Sequence, residues 1–236
     1  MSELTGEARA RYVRHMFGRI APRYDLLNRL MTAGQDRRWR GETLRRMDLS
    51  AAPRLLDLGA GTGDLCFEAL GQRPSARVTA LDFAPEMMWL GKRRPAGGRV
   101  QWVVADAAHL PFPAAAFDAV VSGFLLRNVP DLDAVLLEER RVARPGARVA
   151  SLDTTPPPRS WLLPLLRFHL HTVIPALGRL IAGDSEAYNY LPQSTERFVE
   201  AESLAQRMRA AGFEQVGFVR RMLGTIAIHW GTAGDD

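Results

Sequence analysis

The sequence predicts an α/β fold, a doubly wound and mostly parallel seven-stranded sheet preceded by N-terminal helices and interrupted by a helical insertion. Three observations predict it. Short apolar runs alternate with helix-period segments through the middle of the chain, a glycine-rich turn joins the first strand to a helix, and acids stand at the ends of the next two strands.

From Tyr12 to Ile20 the apolar residues Val13, Met16, Phe17 and Ile20 recur at helical spacing until Pro22, and a second helical stretch carries Trp39, Leu44 and Met47. Arg54 to Leu58 then reads as a buried strand and Asp64 to Leu70 as a helix. The alternation continues with strand Arg77 to Leu81, helix Glu86 to Arg93, strands Val100 to Val104 and Ala119 to Ser122, helix Leu132 to Val142, and strand Arg148 to Leu152. Val103-Val104 and Ala119-Val120-Val121 have the continuous apolar character of strands covered on both faces. Between Asp153 and Glu200 the alternation stops at Pro156-Pro157-Pro158, which reads as the opening of an insertion. A helix from Ala201 to Ala211, ended by Gly212, and strands Gln215 to Val219 and Thr225 to Trp230 complete the chain.

With 236 residues, 47% hydrophobic and 24% charged, the chain can bury a full core. A formal charge of +5 favours phosphates or an anionic membrane surface unless it is spread over solvated helix faces. No dense basic cluster with interleaved aromatics is present, so nucleic acid is not an expected partner. The single cysteine, Cys66, excludes an internal disulfide and reads as a small core residue. No apolar region follows the charged N-terminus, and Pro164, Arg167, Pro175 and Arg179 break the apolar stretch from Trp161 to Ala182. A cytoplasmic protein without a spanning helix is therefore expected.

The decisive string is Leu56-Asp57-Leu58-Gly59-Ala60-Gly61-Thr62-Gly63-Asp64. Glycines at 59, 61 and 63 let a ligand approach the backbone closely, but the position where a dinucleotide fingerprint needs its third glycine is Asp64. A carboxylate at a helix N-terminus would repel a pyrophosphate, so a ligand without phosphate fits better and a dehydrogenase does not. Asp82 closes the next strand where an acid can take both ribose hydroxyls, and Asp106 with Ala107 stands where adenine could be read, so a nucleoside is implied. A glycine turn serving only a tight strand-to-helix connection is the structural alternative.

At this point the sequence resembles class I S-adenosylmethionine methyltransferases with a Rossmann-like fold, and among them the ubiquinone and menaquinone biosynthesis C-methyltransferases. The resemblance rests on Phe17 to Trp39, Leu56 to Leu65, Asp106 to Asp131, Arg141 to Val149, Ile174 to Ser194 and the ending from Ala210. It implies S-adenosylmethionine as cofactor, contacted by Thr62, Asp82, Asp106, Ala107 and Ser122. It also implies a prenylated quinol as substrate, faced by Tyr24, Asp25, Asn28, Arg127, Asn128, Tyr188 and Tyr190. Arg29, Leu27, Thr32, Asp153 and Gln193 depart from the family, which usually has an acid, Met, Ser, Glu and Glu there. The expected organisation is one methyltransferase domain: a helical cap (1–50), a cofactor-binding core (51–153), a lid insertion (154–200) and a C-terminal helix with the last strands (201–236).

Methyl transfer from a sulfonium is an in-line displacement that needs positioning and exclusion of water, so no metal is expected. Arg127 is the candidate for stabilising a developing phenolate, with Asn128 adding a hydrogen bond, unless Arg127 is a surface or capping arginine. Tyr24, Tyr188 and Tyr190 either orient the ring or pack. His169 and His171 are lid residues or a base. Leu162, Leu165, Leu166, Val173, Ile174 and Leu177 form either a wall for a prenyl tail, with peripheral membrane contact, or ordinary core. Methylation of another small molecule and a catalytically silent scaffold are the alternatives. The oligomeric state is left open, with a homodimer as one assembly the sequence allows.

Overall fold

The structure, a computed structural model, describes residues 13, 15–21, 25, 26, 28, 29, 32, 34–157, 172, 194, 195 and 197–235. The lid insertion, with Tyr188, Tyr190, His169, His171 and the aliphatic residues from Leu162 to Leu177, lies outside them apart from its edges, as does Tyr24.

Seven strands form one sheet: β1 Arg54–Leu58, β2 Arg77–Asp82, β3 Val100–Val104, β4 Phe117–Gly123, β5 Ala143–Thr154, β6 Phe213–Arg221 and β7 Ile226–Ala233. Their order is β3-β2-β1-β4-β5-β7-β6. β7 runs antiparallel to both of its neighbours, while β1 to β5 are parallel. The doubly wound expectation therefore holds, and the direction of winding reverses between β1 and β4, where open α/β sheets bind ligands.

Alternation of side chains along β1 divides the core in two. Leu56 and Leu58 face α4 (Leu132–Val142) and α5 (Ala201–Ala210), packing with Val135, Leu136, Leu204 and Met208. Leu55 faces the opposite layer, α1 (Gln35–Arg46) and α2 (Asp64–Gln72), packing with Leu44, Met47, Leu65, Cys66 and Leu70. Trp39 of α1 reaches past the sheet centre to Leu152, Ile226 and Ile228, anchoring the N-terminal part of the fold on β5 and β7. α3 (Pro85–Lys92) begins with Pro85 at its first turn, where a missing N–H costs no intrahelical bond. Among the described residues no helix is long and apolar enough to cross a membrane.

Two expectations are corrected. Val103-Val104 is not covered on both faces: β3 is an edge strand, and Val104 is 56% exposed. β5 begins before Pro145-Gly146 rather than at Arg148, because Ala143 already pairs with Phe117, with a register shift before Ala119.

Glu139 is buried on the inner face of α4, and its Oε1 has no hydrogen-bond partner. Burial pushes its carboxyl up to about 8. A carboxyl raised above its unfolded value binds its proton more tightly in the folded state, so its contribution to stability declines as pH rises from the unfolded value towards 8. Thermal unfolding should find Glu139→Gln close to the parent near pH 5 and higher melting by several degrees, roughly 2–4 °C per kcal/mol, above pH 8. Parallel melting curves at both pH values would contradict this.

Candidate functional site

The glycine bend after β1 is fixed by the end of β2. Gly61 N–H donates to Asp82 Oδ2 at 2.8 Å, and Ala84 N–H donates to Asp82 Oδ1 at 2.8 Å. Ala60 N–H adds a bond to Leu81 O at 3.0 Å. Gly59 and Gly61 have φ of 64° and 55°, and a Cβ on Gly59 would sit 2.8 Å from Leu125 Cδ1, so this close path along the crevice requires glycine.

Two adjoining hollows open along these strand ends. The first is walled by Gly59, Gly61, Thr62, Asp57, Asp82, Asp25, Arg40, Phe124 and Asn128, among others. The second is walled by Gly59, Asp82, Asp106, Ala107 and Asn128, among others. Asp82 and Asp106 thus meet in one crevice beside the glycine bend. Asp82 is buried, whereas the Asp106 carboxylate is 65% exposed and accepts from Ala108 N–H at 2.9 Å, leaving its outer face to solvent.

Not every expected contact lines the crevice. Gly63 is the N-cap of α2, where a Cβ would meet the Trp102 ring at 2.7 Å, so its place in the motif is packing and turn geometry. Ser122 is buried inside β4 with its Oγ unpartnered and walls neither hollow. Arg127 also walls neither. Its guanidinium is buried, Nη1 lies 2.5 Å from Asp153 Oδ1, and Cζ stands 5.1 Å from the Phe124 ring centroid, so it is no surface arginine. It borders a more polar cavity of about 360 Å³ at the start of α4 instead. The Phe124 ring that lies against Arg127 is itself part of the wall of the first hollow. Asn128 walls both hollows and donates from Nδ2 to Phe124 O at 2.9 Å. Asn28 is half-buried and walls neither hollow, and Asp25 walls the first.

The hollow is rich in acids. Thr62 Oγ1 donates to Asp25 Oδ1 at 2.7 Å, bringing the N-terminal part of the chain onto the glycine bend. Burial, and then the nearby Asp64 charge, raise the Asp25 carboxyl above its ordinary value. Burial opposes ionisation of Asp64 too, but Arg40 at 3.7 Å and Arg94 at 2.6 Å outweigh it and hold that carboxyl low. The charge of Asp64 is thus directed at two guanidiniums. The case against a pyrophosphate rests more firmly on Asp25, Asp57 and Asp82. Asp57 is fully buried, accepts from Cys66 Sγ at 3.1 Å, and has no partner at Oδ1. Burial raises Asp57 to about 7 and Asp82 to about 6.

Arg40 and Arg94 carry no motif in the sequence. For Arg40 the available signal was its helical spacing, four residues after Asp36 on the face that also buries Thr43 and Leu44, and Asp36 does bind it. Arg94, past the end of α3, is held by Asp64, by Thr62 O at 3.2 Å and by the face of Phe67, contacts that only the folded chain brings together.

S-adenosylmethionine fits these residues, since it is a cationic nucleoside without phosphate. The acid at the end of β2, the acid after β3, the narrow glycine bend and the unpartnered Asp57 Oδ1 supply acceptors and negative charge. A cationic ligand binds the ionised carboxylates better, so its affinity should strengthen as pH rises through the values of Asp82 and Asp57. Calorimetry should find S-adenosylmethionine binding about tenfold tighter near pH 7.5 than near pH 5.5, with Asp57→Asn flattening the slope. A pH-independent dissociation constant would refute the assignment.

A model of the ubiE/COQ5 methyltransferase family matches residues 5–233. A Desulfotalea psychrophila protein named ubiquinone/menaquinone biosynthesis C-methyltransferase UbiE is 47% identical over 93% of this chain and 89% of its own. A Thermus thermophilus demethylmenaquinone methyltransferase is 44% identical over 92% and 99%. Among solved structures, the [4+2]-cyclase SpnF superposes with a TM-score of 0.70 at 18% identity, covering 95% of this chain and 96% of its own. A Haemonchus contortus phosphoethanolamine N-methyltransferase 2 in complex with S-adenosyl-L-methionine gives 0.62 at 13% identity, over 84% and 52%. Those two likenesses show the fold. Family match and relatives together establish that the chain belongs to the ubiE/COQ5 methyltransferase family and is an S-adenosylmethionine-dependent enzyme.

Proposed function

We propose that the chain methylates a ring carbon of a prenylated quinol, converting demethylmenaquinol to menaquinol. The names of its relatives in D. psychrophila and T. thermophilus support this substrate class. The observation that carries the reading is the end of β4, where Asn128 walls the crevice and Arg127 stands one aromatic ring behind it.

When bound, the cofactor supplies an electrophilic methyl group on a sulfonium. Bound there, it would give up that methyl to the ring carbon and leave as a thioether, with the ring proton passing to solvent. The ring carbon becomes a strong nucleophile only once its neighbouring hydroxyl ionises, and a phenol of pKa near 10 needs help at neutral pH. We assign the Arg127 guanidinium, oriented by Asp153, and the Asn128 amide to lowering that cost, both built into the fold before substrate arrives. Phe124 supplies an apolar wall for the ring. Tyr24 and Tyr190 complete the acceptor side. The aliphatic residues from Leu162 to Leu177 cover the prenyl tail, and the +5 charge draws the cytoplasmic enzyme to an anionic membrane surface where such quinols reside.

A strain lacking this protein should accumulate the demethylated quinone, and an unchanged quinone profile would remove the substrate assignment. In purified enzyme Arg127→Gln should lower kcat by about 100-fold while cofactor affinity changes less than about twofold. Binding to anionic vesicles carrying the quinol should weaken when residues 162–177 are replaced by a short polar linker, and equal binding would reject the membrane contact.

A further inference from the structure

The buried guanidinium of Arg127 is held by a carboxylate that the sequence reading assigned no role. Asp153 stands near the end of β5, in register with Ala227 of β7, and its side chain is 2% exposed. It accepts three hydrogen bonds: from Arg127 Nη1 at 2.5 Å, from Arg127 N–H at 3.2 Å and from Thr154 N–H at 2.7 Å. Backbone and side chain of Arg127 are thus gripped by one carboxylate on the neighbouring strand, while its own orientation is set by the next peptide of β5. The Phe124 ring, which walls the first hollow, lies against the same guanidinium.

A buried ion pair is a poor device for stability alone, because desolvation offsets much of the attraction and apolar residues of the same volume often serve as well. It is a good device for direction. A guanidinium is planar and on a flexible stem, and a carboxylate bonded to its Nη1 and to its own backbone N–H restricts both the plane and the root of the side chain.

We infer that Asp153 is a positioning residue for the methyl transfer, holding the Arg127 guanidinium behind Phe124 at the acceptor end of the crevice. The inference rests on the role proposed for Arg127. Asp153 walls neither of the two hollows and acts through Arg127. Misplacement of a fixed charge by about 1 Å is enough to cost on the order of 100-fold in rate, so the effect belongs in kcat.

A kinetic double-mutant cycle on the purified enzyme, with S-adenosylmethionine and the quinol, tests it. Asp153→Asn should lower kcat by roughly 10- to 100-fold, with the KM for quinol and the dissociation constant for S-adenosylmethionine within about twofold of the parent. Asp153→Glu, which restores the carboxylate, should stay within about fivefold of the parent kcat. In an Arg127→Gln background Asp153→Asn should cause no further loss. An undiminished kcat in Asp153→Asn, or an equal loss in both backgrounds, overturns the inference. If either single variant does not fold, since each strands one buried charge, Asp153→Glu and Arg127→Lys, which keep the pair, are compared alone and together: losses in kcat that fail to multiply support coupling through Arg127, and losses that multiply overturn it. Full activity in Arg127→Gln would instead remove the role of Arg127 itself, and the two failures are told apart by that single variant.

Discussion

A carboxylate buried at the end of β2 ties the glycine bend after β1 to the neighbouring strand, and the geometry of the crevice follows from that tie. Gly61 donates to Asp82 while Ala84 holds the other carboxylate oxygen, so bend, strand end and the start of α3 form one unit. Carboxylate oxygens accept more than one hydrogen bond, which leaves Asp82 able to serve a ligand as well as the backbone. Because β1 lies at the centre of a parallel sheet, the bend opens where the winding reverses, and residues from the ends of β1, β2, β3 and β4 converge there without any long loop.

Around that unit the charges are sorted by partner. Asp64 is taken by Arg94 and Arg40, and Asp36 by Arg40, so these acids are matched inside the protein. Among the described residues neither Asp57 nor Asp82 forms an ion pair with an arginine, and burial makes ionisation costly for both. A cation arriving in the crevice removes that cost, which couples cofactor binding to the electrostatics of the site. Arg127, beside the Phe124 ring, is likewise matched inside the protein, by Asp153. The crevice therefore presents acids to a cationic donor, while the Arg127 charge, matched by Asp153, lies outside both hollows.

The N-terminal part of the fold is joined to the site by packing and by polar contacts. Trp39 packs on β5 and β7, fixing α1 against the sheet, and this places Arg40 at the first hollow. Thr62 holds Asp25 at 2.7 Å, so the bend itself contacts the chain before α1. Packing of an apolar face and the polar contacts of Asp25 and Arg40 together make the chain before β1 part of the wall.

The sequence by itself determined the α/β alternation, the location of the glycine bend and the acids at the ends of β2 and β3. Each is a local consequence: period-2 and period-3.6 apolar patterns, positive φ that only glycine adopts cheaply, and strand ends that lie within a few residues of their motif. What only the tertiary structure decided is which side chains face the crevice. Gly63 and Ser122 sit within or beside the motif strands yet turn into the protein, whereas Arg40 walls the hollow from a helix with no motif. Arg127 was legible only as a candidate, and its inward orientation was not legible at all, because the partner that holds it lies 26 residues away on the next strand. Side-chain direction at a sheet edge depends on strand order and register, and these are set by long-range pairing that no local pattern encodes.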